Sequence, residues 1–477
     1  MAATAQPVVT RGIFVAGEWI ETGGWDEVRS PYTGEVVGRV ARGGAEHARR
    51  AIDAAEIALR SPIPQHERAA ILGRIAQALD DRTEDAAQLI SAEAGKPIKS
   101  ARGEASRAVQ TYIAAADAAR TLTGERVAMD ASPAGAGKLA FTLRVPIGIV
   151  GAISPFNFPL NLVAHKLAPA LAAGCPVVLK PAPATPLTAL FLAELTAEAG
   201  LPAGWLSVVC GPAAEIGDVL VEDERVKALT FTGSGPVGWS LRARAARKHV
   251  ALELGNSTPM IVAADGDLEA AATAAATYAF AFSGQACISL QRVYVHRSVH
   301  DAFVELLVPK VEALVVGDPA DEATDVGPVI DERSRDRILS WIARSGGTVL
   351  TGGELTDDGL IRPTVVSAPS GDSELSCGEA FGPVCTVQPY DTEDEAFRLA
   401  NATPYGLQAG IFTRDLSLAL RAARELEFGG VVVNDAPSVR VDHMPYGGVK
   451  ESGNTREGPR YAVPELTEER LVVIDLG

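Results

Sequence analysis

From residue 147 to 254, short apolar runs alternate with helical stretches, and this alternation constrains the fold more than any other feature. The runs at 149–154, 177–180, 206–210, 228–232 and 250–254 are too continuously apolar to present a solvated face. Strands buried on both sides and separated by helices build a parallel sheet. A second alternating stretch covers about 258–445, with strands expected at 292–296, 384–390 and 430–434. Ahead of both, residues 44–121 repeat Ala, Ile and Leu at helical spacing between Arg and Glu, punctuated by Gly95 and Pro97. Residues 124–146 place Gly124, Pro133, Gly135 and Gly137 around short alternating runs, which predicts a hairpin. Residues 468–475 read as a lone strand that needs a partner outside its own domain.

A chain of 477 residues exceeds the size of a single hydrophobic core, so two or three domains are expected. Apolar residues at 47% and charged residues at 22% describe an ordinary soluble protein. The net charge of −17 argues against a nucleic-acid or anionic-membrane partner. No run approaches a membrane span, and the N-terminus lacks the basic-then-apolar order of a signal peptide, so a cytoplasmic location is expected. The five cysteines form no CxxC pair, which fits free thiols in a reducing compartment and no metal site.

Phe282-Ser283-Gly284-Gln285-Ala286-Cys287-Ile288 places a thiol after Gly-Gln on a small-residue turn, where nothing bulky blocks an approaching carbonyl. Upstream, Glu253 in Glu253-Leu254-Gly255-Asn256 offers a carboxylate that can activate water, completing a two-step acyl mechanism. Gly233-Ser234-Gly235-Pro236-Val237-Gly238 matches the dinucleotide fingerprint GxGxxG between a strand and a helix. The loop nevertheless comes late in the sheet, and Glu253 is assigned to catalysis and not to a cofactor ribose.

Gly-Gln-x-Cys and Glu-Leu-Gly-x at this spacing resemble the aldehyde dehydrogenase superfamily, from about residue 12 to the C-terminus. The resemblance implies an α/β fold of two Rossmann-like parallel-sheet domains plus a small β oligomerisation element. The dinucleotide-binding domain would comprise 1–123 and 147–254, the catalytic domain 255–445, and the oligomerisation element 124–146 and 458–477. It implies oxidation of an aldehyde to its acid with NAD or NADP, through a Cys287 thiohemiacetal and thioester, with Glu253 activating water. Asn157, in Ser154-Pro155-Phe156-Asn157-Phe158-Pro159, would donate to the oxyanion together with the Cys287 N–H, and Lys166 would support this centre. A coenzyme A-dependent acylating enzyme is the alternative, and a non-catalytic structural member is disfavoured.

The same resemblance assigns Ser154, Pro155, Phe156, Lys180, Ala182, Pro183, Gly211, Gly233, Ser234, Leu254, Glu379 and Phe381 to the cofactor. Pro183 stands where many NAD-preferring relatives carry a Glu on the ribose 2′-hydroxyl, so NADP becomes permissible. Pro445-Tyr446-Gly447-Gly448-Val449-Lys450 matches the closing family signature and is assigned to architecture and pocket lining, not to proton transfer. Arg107, His165, Arg440 and His443 are expected at the substrate entrance, where they suit a small polar and possibly anionic aldehyde. Ala286 stands where some anion-handling relatives place another Arg, which counts against that expectation. The motifs look closest to the lactaldehyde, phosphonoacetaldehyde and non-phosphorylating glyceraldehyde-phosphate branch. A homodimer or homotetramer is expected.

Overall fold

The computed structural model describes residues 8–477, so residues 1–7 of the expected first domain lie outside the described residues. The first alternating stretch forms a seven-stranded sheet in the order His249–Glu253, Val226–Thr232, Ile149–Ile153, Val177–Lys180, Leu206–Val208, Ile13–Val15, Glu18–Ile20. Its first five strands are parallel, and the last two join antiparallel at the edge. The GxGxxG loop leaves Val226–Thr232, the fourth of the five parallel strands in chain order, consistent with a turn late in the sheet. Helices on both faces bury its apolar strands in the larger hydrophobic core.

The second stretch forms another seven-stranded sheet, ordered Thr348–Thr351, Thr364–Ser367, Val384–Tyr390, Leu290–His296, Thr258–Val262, Gln408–Phe412, Gly430–Val433. Only Thr348–Thr351 runs antiparallel to its neighbour. Carboxyl ends of parallel strands in both sheets supply the loops that carry the site, as open α/β sheets do.

Residues 126–127 pair with Lys138–Pro146 as expected of a hairpin, with two short 3-10 turns between them. The terminal strand Thr467–Asp475 finds its partner in the same chain, pairing antiparallel from Thr467 opposite Pro146 to Asp475 opposite Lys138. Its other edge remains open in the chain. The N-terminal region had no strand assigned to it from the sequence. It contributes the two edge strands above and a separate sheet of Val9–Arg11, Val36–Ala41 and Trp25–Arg29.

Two helices position much of the site. Asn161–Ala173 is buried at every position, which explains why its sequence is nearly all apolar yet carries His165 and Lys166. Ile98–Thr121 packs against it and places Glu104, Arg107 and Thr111, three and four residues apart, on one face.

Candidate active site

The Cys287 loop leaves the helix Leu268–Tyr278 through three successive left-handed residues, Phe282, Ser283 and Gly284, at φ 47°, 55° and 69°. For Phe and Ser this conformation costs on the order of 1–3 kcal/mol each, so the surroundings must impose it. Ser283 Oγ donates to the Gly327 carbonyl at 2.7 Å, and Gln285 Oε1 accepts from Ile330 N at 2.8 Å. The Gly-Gln pair before Cys287 is therefore a turn and its anchor. Cys287 keeps a partly exposed edge, but its surroundings bury the thiol enough to push it up to about 12. Its Sγ lies 2.8 Å from the Tyr446 hydroxyl.

Asn157 reaches this loop from the first sheet: its Nδ2 donates to the Gln285 carbonyl at 2.8 Å. A carboxamide nitrogen has two N–H bonds, so that contact orients the group and leaves the second donor free. Glu253 ends its strand with Oε1 buried and unpartnered, and burial, then the nearby Glu457, raises its carboxyl well above the usual range. Gly447 sits against it: a Cβ there would lie 2.8 Å from Glu253 Oε1, so a side chain would displace the carboxylate. Lys166 is buried as well, donating to the Thr230 and Thr232 hydroxyls at 3.2 and 2.6 Å, and burial lowers its pKa. Cys287, Asn157, Glu253 and Lys166 thus gather around one centre from separate elements.

The cofactor assignments fall in two places. Ala182, Pro183 and Gly211 line a cleft of about 460 Å³, facing Asp26 and Arg42 of the N-terminal sheet. Lys180 lies beneath it, donating to the Pro181 carbonyl at 2.8 Å, and burial lowers it to about 8. Ser234 precedes the helix Gly235–Arg244, whose exposed N-terminus suits a phosphate, with Gly233 bonded back to the Glu253 carbonyl at 3.1 Å. Leu254 is buried against this helix, and Ser154 is buried at the end of its strand. Nearer the thiol, Phe156 meets Phe381 edge-on at 5.8 Å, joining loops from the two sheets, with Pro155 half-buried beside Phe156. Glu379 accepts from Asn256 N at 3.0 Å, and burial raises it to about 7. Lys180 by the cleft, the helix terminus at Ser234 and the buried Glu379 are the groups that could hold a dinucleotide.

The four expected substrate residues separate. Arg107 forms a two-pronged pair with Asp442 at 2.9 and 3.2 Å while its side chain stays 31% exposed. His165 is buried beneath it and burial keeps the imidazole neutral, so its Nε2–H donates to Asp442 at 3.0 Å. Arg440, only 6% exposed, pairs with Glu457 at 2.7 Å and lies 3.7 Å over the Tyr446 ring. His443 is exposed and lines a different groove with Arg144, Arg460 and Tyr461.

Sequence reasoning left Asp442 without a role and assigned Tyr446 and Glu457, in the closing family signature, to architecture and pocket lining, without their contacts to Cys287 and Arg440. The clustering of Arg440, Asp442 and His443 just before Pro445 was the available signal for the first.

Residues 19–472 match the aldehyde dehydrogenase family. The 3-sulfolactaldehyde dehydrogenase of Priestia aryabhattai is 45% identical over 98% of each chain. The lactaldehyde dehydrogenase of Methanocaldococcus jannaschii is 39% identical over 97% of this chain and all of its own. The crystal structure of aldehyde dehydrogenase 21 from Physcomitrella patens, in complex with the reaction product succinate, superposes with a TM-score of 0.95 at 40% identity, covering 99% of each chain. The chain belongs to the aldehyde dehydrogenase family, oxidoreductases that act on aldehydes with NAD or NADP.

Proposed function

We propose that this enzyme oxidises a small anionic aldehyde to its carboxylic acid, with Cys287 as nucleophile and Glu253 as the base that activates water. Attack of the Cys287 thiolate forms the S–C bond and moves the carbonyl electron pair to oxygen, where the free Asn157 N–H and the Cys287 N–H receive it. The cofactor, when bound, supplies the acceptor for the hydride. The resulting thioester is released by a water that gives its proton to Glu253. Two neighbouring carboxylates shifted in opposite directions point to an acid–base group. Arg440 keeps Glu457 ionised against the cost of burial, while Glu253 is raised and able to exchange a proton. A buried base beside the thiol favours water over coenzyme A as acceptor.

Arg107 carries the substrate reading. Asp442 occupies the Nε and Nη2 edge of its guanidinium, fixing the direction of the remaining edge at a partly exposed position. A rigid fork suits a sulfonate or carboxylate, and the relative that acts on 3-sulfolactaldehyde is similar over nearly its whole length. The lactaldehyde relative marks the uncharged alternative.

The deciding experiment is a panel of 3-sulfolactaldehyde, succinic semialdehyde, lactaldehyde and propanal, each with NAD and NADP, for the parent and Arg107→Leu. The anionic aldehydes should lead in kcat/KM, and Arg107→Leu should raise their KM at least tenfold more than that of propanal. Equal effects on charged and uncharged aldehydes would remove the anionic reading.

We also infer a homo-oligomer in a reducing, cytoplasmic setting. The open edge of Thr467–Asp475 carries exposed Leu471, Val473 and Ile474, and the edge strand Gly430–Val433 lies next to exposed Leu416 and Leu420. Open apolar edges of this kind favour pairing with a second copy.

A further inference from the structure

Cys287 stands among groups that make a thiolate costly. Burial opposes it first, and the Glu253 and Glu379 carboxylates oppose it further. Two groups favour it: the Tyr446 hydroxyl in contact with Sγ, and the Arg440 guanidinium behind that ring. We propose that Tyr446 is a catalytic residue whose O–H donates to the Cys287 thiolate, with Arg440 as the positioning residue that holds and polarises the phenol. The inference rests on Cys287 being the nucleophile.

The geometry fixes this unit from three directions. Tyr446 and Glu457 exchange backbone hydrogen bonds at 3.2 and 2.6 Å. Arg440 bonds Glu457 Oε2 at 2.7 Å and places its guanidinium 3.7 Å over the face of the ring. The phenol cannot turn away from Sγ without breaking that stack. A cation over the ring face draws density from it and makes the O–H a stronger donor.

Donor direction follows from charge. Burial, then Cys287 itself, raises the tyrosine hydroxyl well above its ordinary value, so the phenol keeps its proton. When the thiol loses its proton to solvent, Sγ becomes the acceptor and Tyr446, in contact with it, the donor. On attack the sulfur electron pair becomes the S–C bond, and the hydrogen bond is released as charge moves to the carbonyl oxygen. Packing does not call for the hydroxyl: the ring fills a small cluster with Ile288, Leu407 and Met444 that phenylalanine would fill equally.

The test is alkylation of Cys287 by iodoacetamide in the substrate-free enzyme between pH 8 and 10, read on the Cys287 peptide by mass spectrometry because Cys377 is also exposed. Tyr446→Phe should lower the thiolate fraction about tenfold. With the compensating gain in nucleophilicity, the alkylation rate should fall about threefold at every pH. Replacing Tyr446 site-specifically with 3-fluorotyrosine keeps the shape and sharpens the donor, so its rate should exceed the parent's. This arm decides the question even if the phenylalanine variant folds poorly. Equal rates in parent and fluorotyrosine protein, or a faster phenylalanine variant, would overturn the proposal. Full turnover by Cys287→Ala would instead defeat the nucleophile assignment, so the two failures are distinguishable.

Discussion

Replacing Lys96 with methionine should damage both stability and turnover, because this side chain ties the two loops of the active site together. Lys96 is fully enclosed, paired with Glu104, and its ammonium lies 3.6 Å from the ring centroid of Phe158 and 4.4 Å from that of Phe282. Phe158 follows the oxyanion donor Asn157, and Phe282 opens the left-handed turn that leads to Cys287. Glu104 also accepts from Leu160 N and Asn161 N at 2.9 and 3.1 Å, where the buried helix with His165 and Lys166 begins. Removing one partner of a buried ion pair costs about 3–5 kcal/mol, since the other charge is left uncompensated. Methionine has similar length and still packs on both rings, so little cavity is added, and only about 1 kcal/mol of cation–π attraction is lost besides. The expected loss is about 4 kcal/mol. Glu104→Gln should cost a similar amount, and the double variant should fall short of the sum by about 2 kcal/mol. Urea unfolding of the four proteins at one protein concentration measures this. A shift of the two loops by about 1 Å would lower kcat about a hundredfold. Stability within about 1 kcal/mol of the parent together with normal kcat in Lys96→Met would refute the reasoning.

Two further outcomes test the site and the assembly. Because burial raises the Glu253 carboxyl, its base form is present only above that raised pKa, and thioester hydrolysis should slow as pH falls through it. Glu253→Gln should keep a first-turnover burst of reduced cofactor, lose this limb of the pH profile and turn over slowly, as stopped-flow absorbance would show. Light scattering at micromolar concentration should give at least twice the 49.7 kDa chain mass, and Leu471→Glu with Val473→Glu should lower it toward one chain.

The residues that were legible in the sequence are those whose chemistry is carried by short contiguous patterns. The thiol after Gly-Gln, the Glu of Glu-Leu-Gly and the Asn after Ser-Pro-Phe each sit at the end of a strand or on a turn, where local pattern and position coincide. The parallel sheets were equally readable, since strands buried on both faces have no polar alternation to confuse them. The N-terminal sheet was not, because its strands Val9–Arg11 and Trp25–Arg29 are short and half-exposed, and Val9–Arg11 pairs beyond its chain neighbours with Val36–Ala41. Ion pairs were also hidden. Arg107 meets Asp442 335 positions on, Lys96 makes a cation–π contact with Phe282 far along the chain, and no spacing rule links them. Arg440 was read as facing the substrate, and its buried stack on Tyr446, six residues on, became visible only once the fold brought this segment to the Cys287 loop and to Glu457.

That convergence also explains how one pocket keeps two carboxylates in different states. The segment from Tyr446 to Glu457 folds back over the strand His249–Glu253: Leu254 N donates to the Ser452 carbonyl and Asn454 N to the Leu252 carbonyl. The fold thereby sets Glu457 close to Glu253, and like charges in a buried space cannot both ionise freely. Arg440 bonds Glu457 and not Glu253, which leaves Oε1 of Glu253 without a partner. Burial is the larger cause of the raised Glu253 carboxyl, and Glu457, brought in by the C-terminal segment, adds to it. The same arginine backs the tyrosine that touches the Cys287 thiol, so one buried cation acts on both the proposed water-activating carboxylate and the proposed nucleophile.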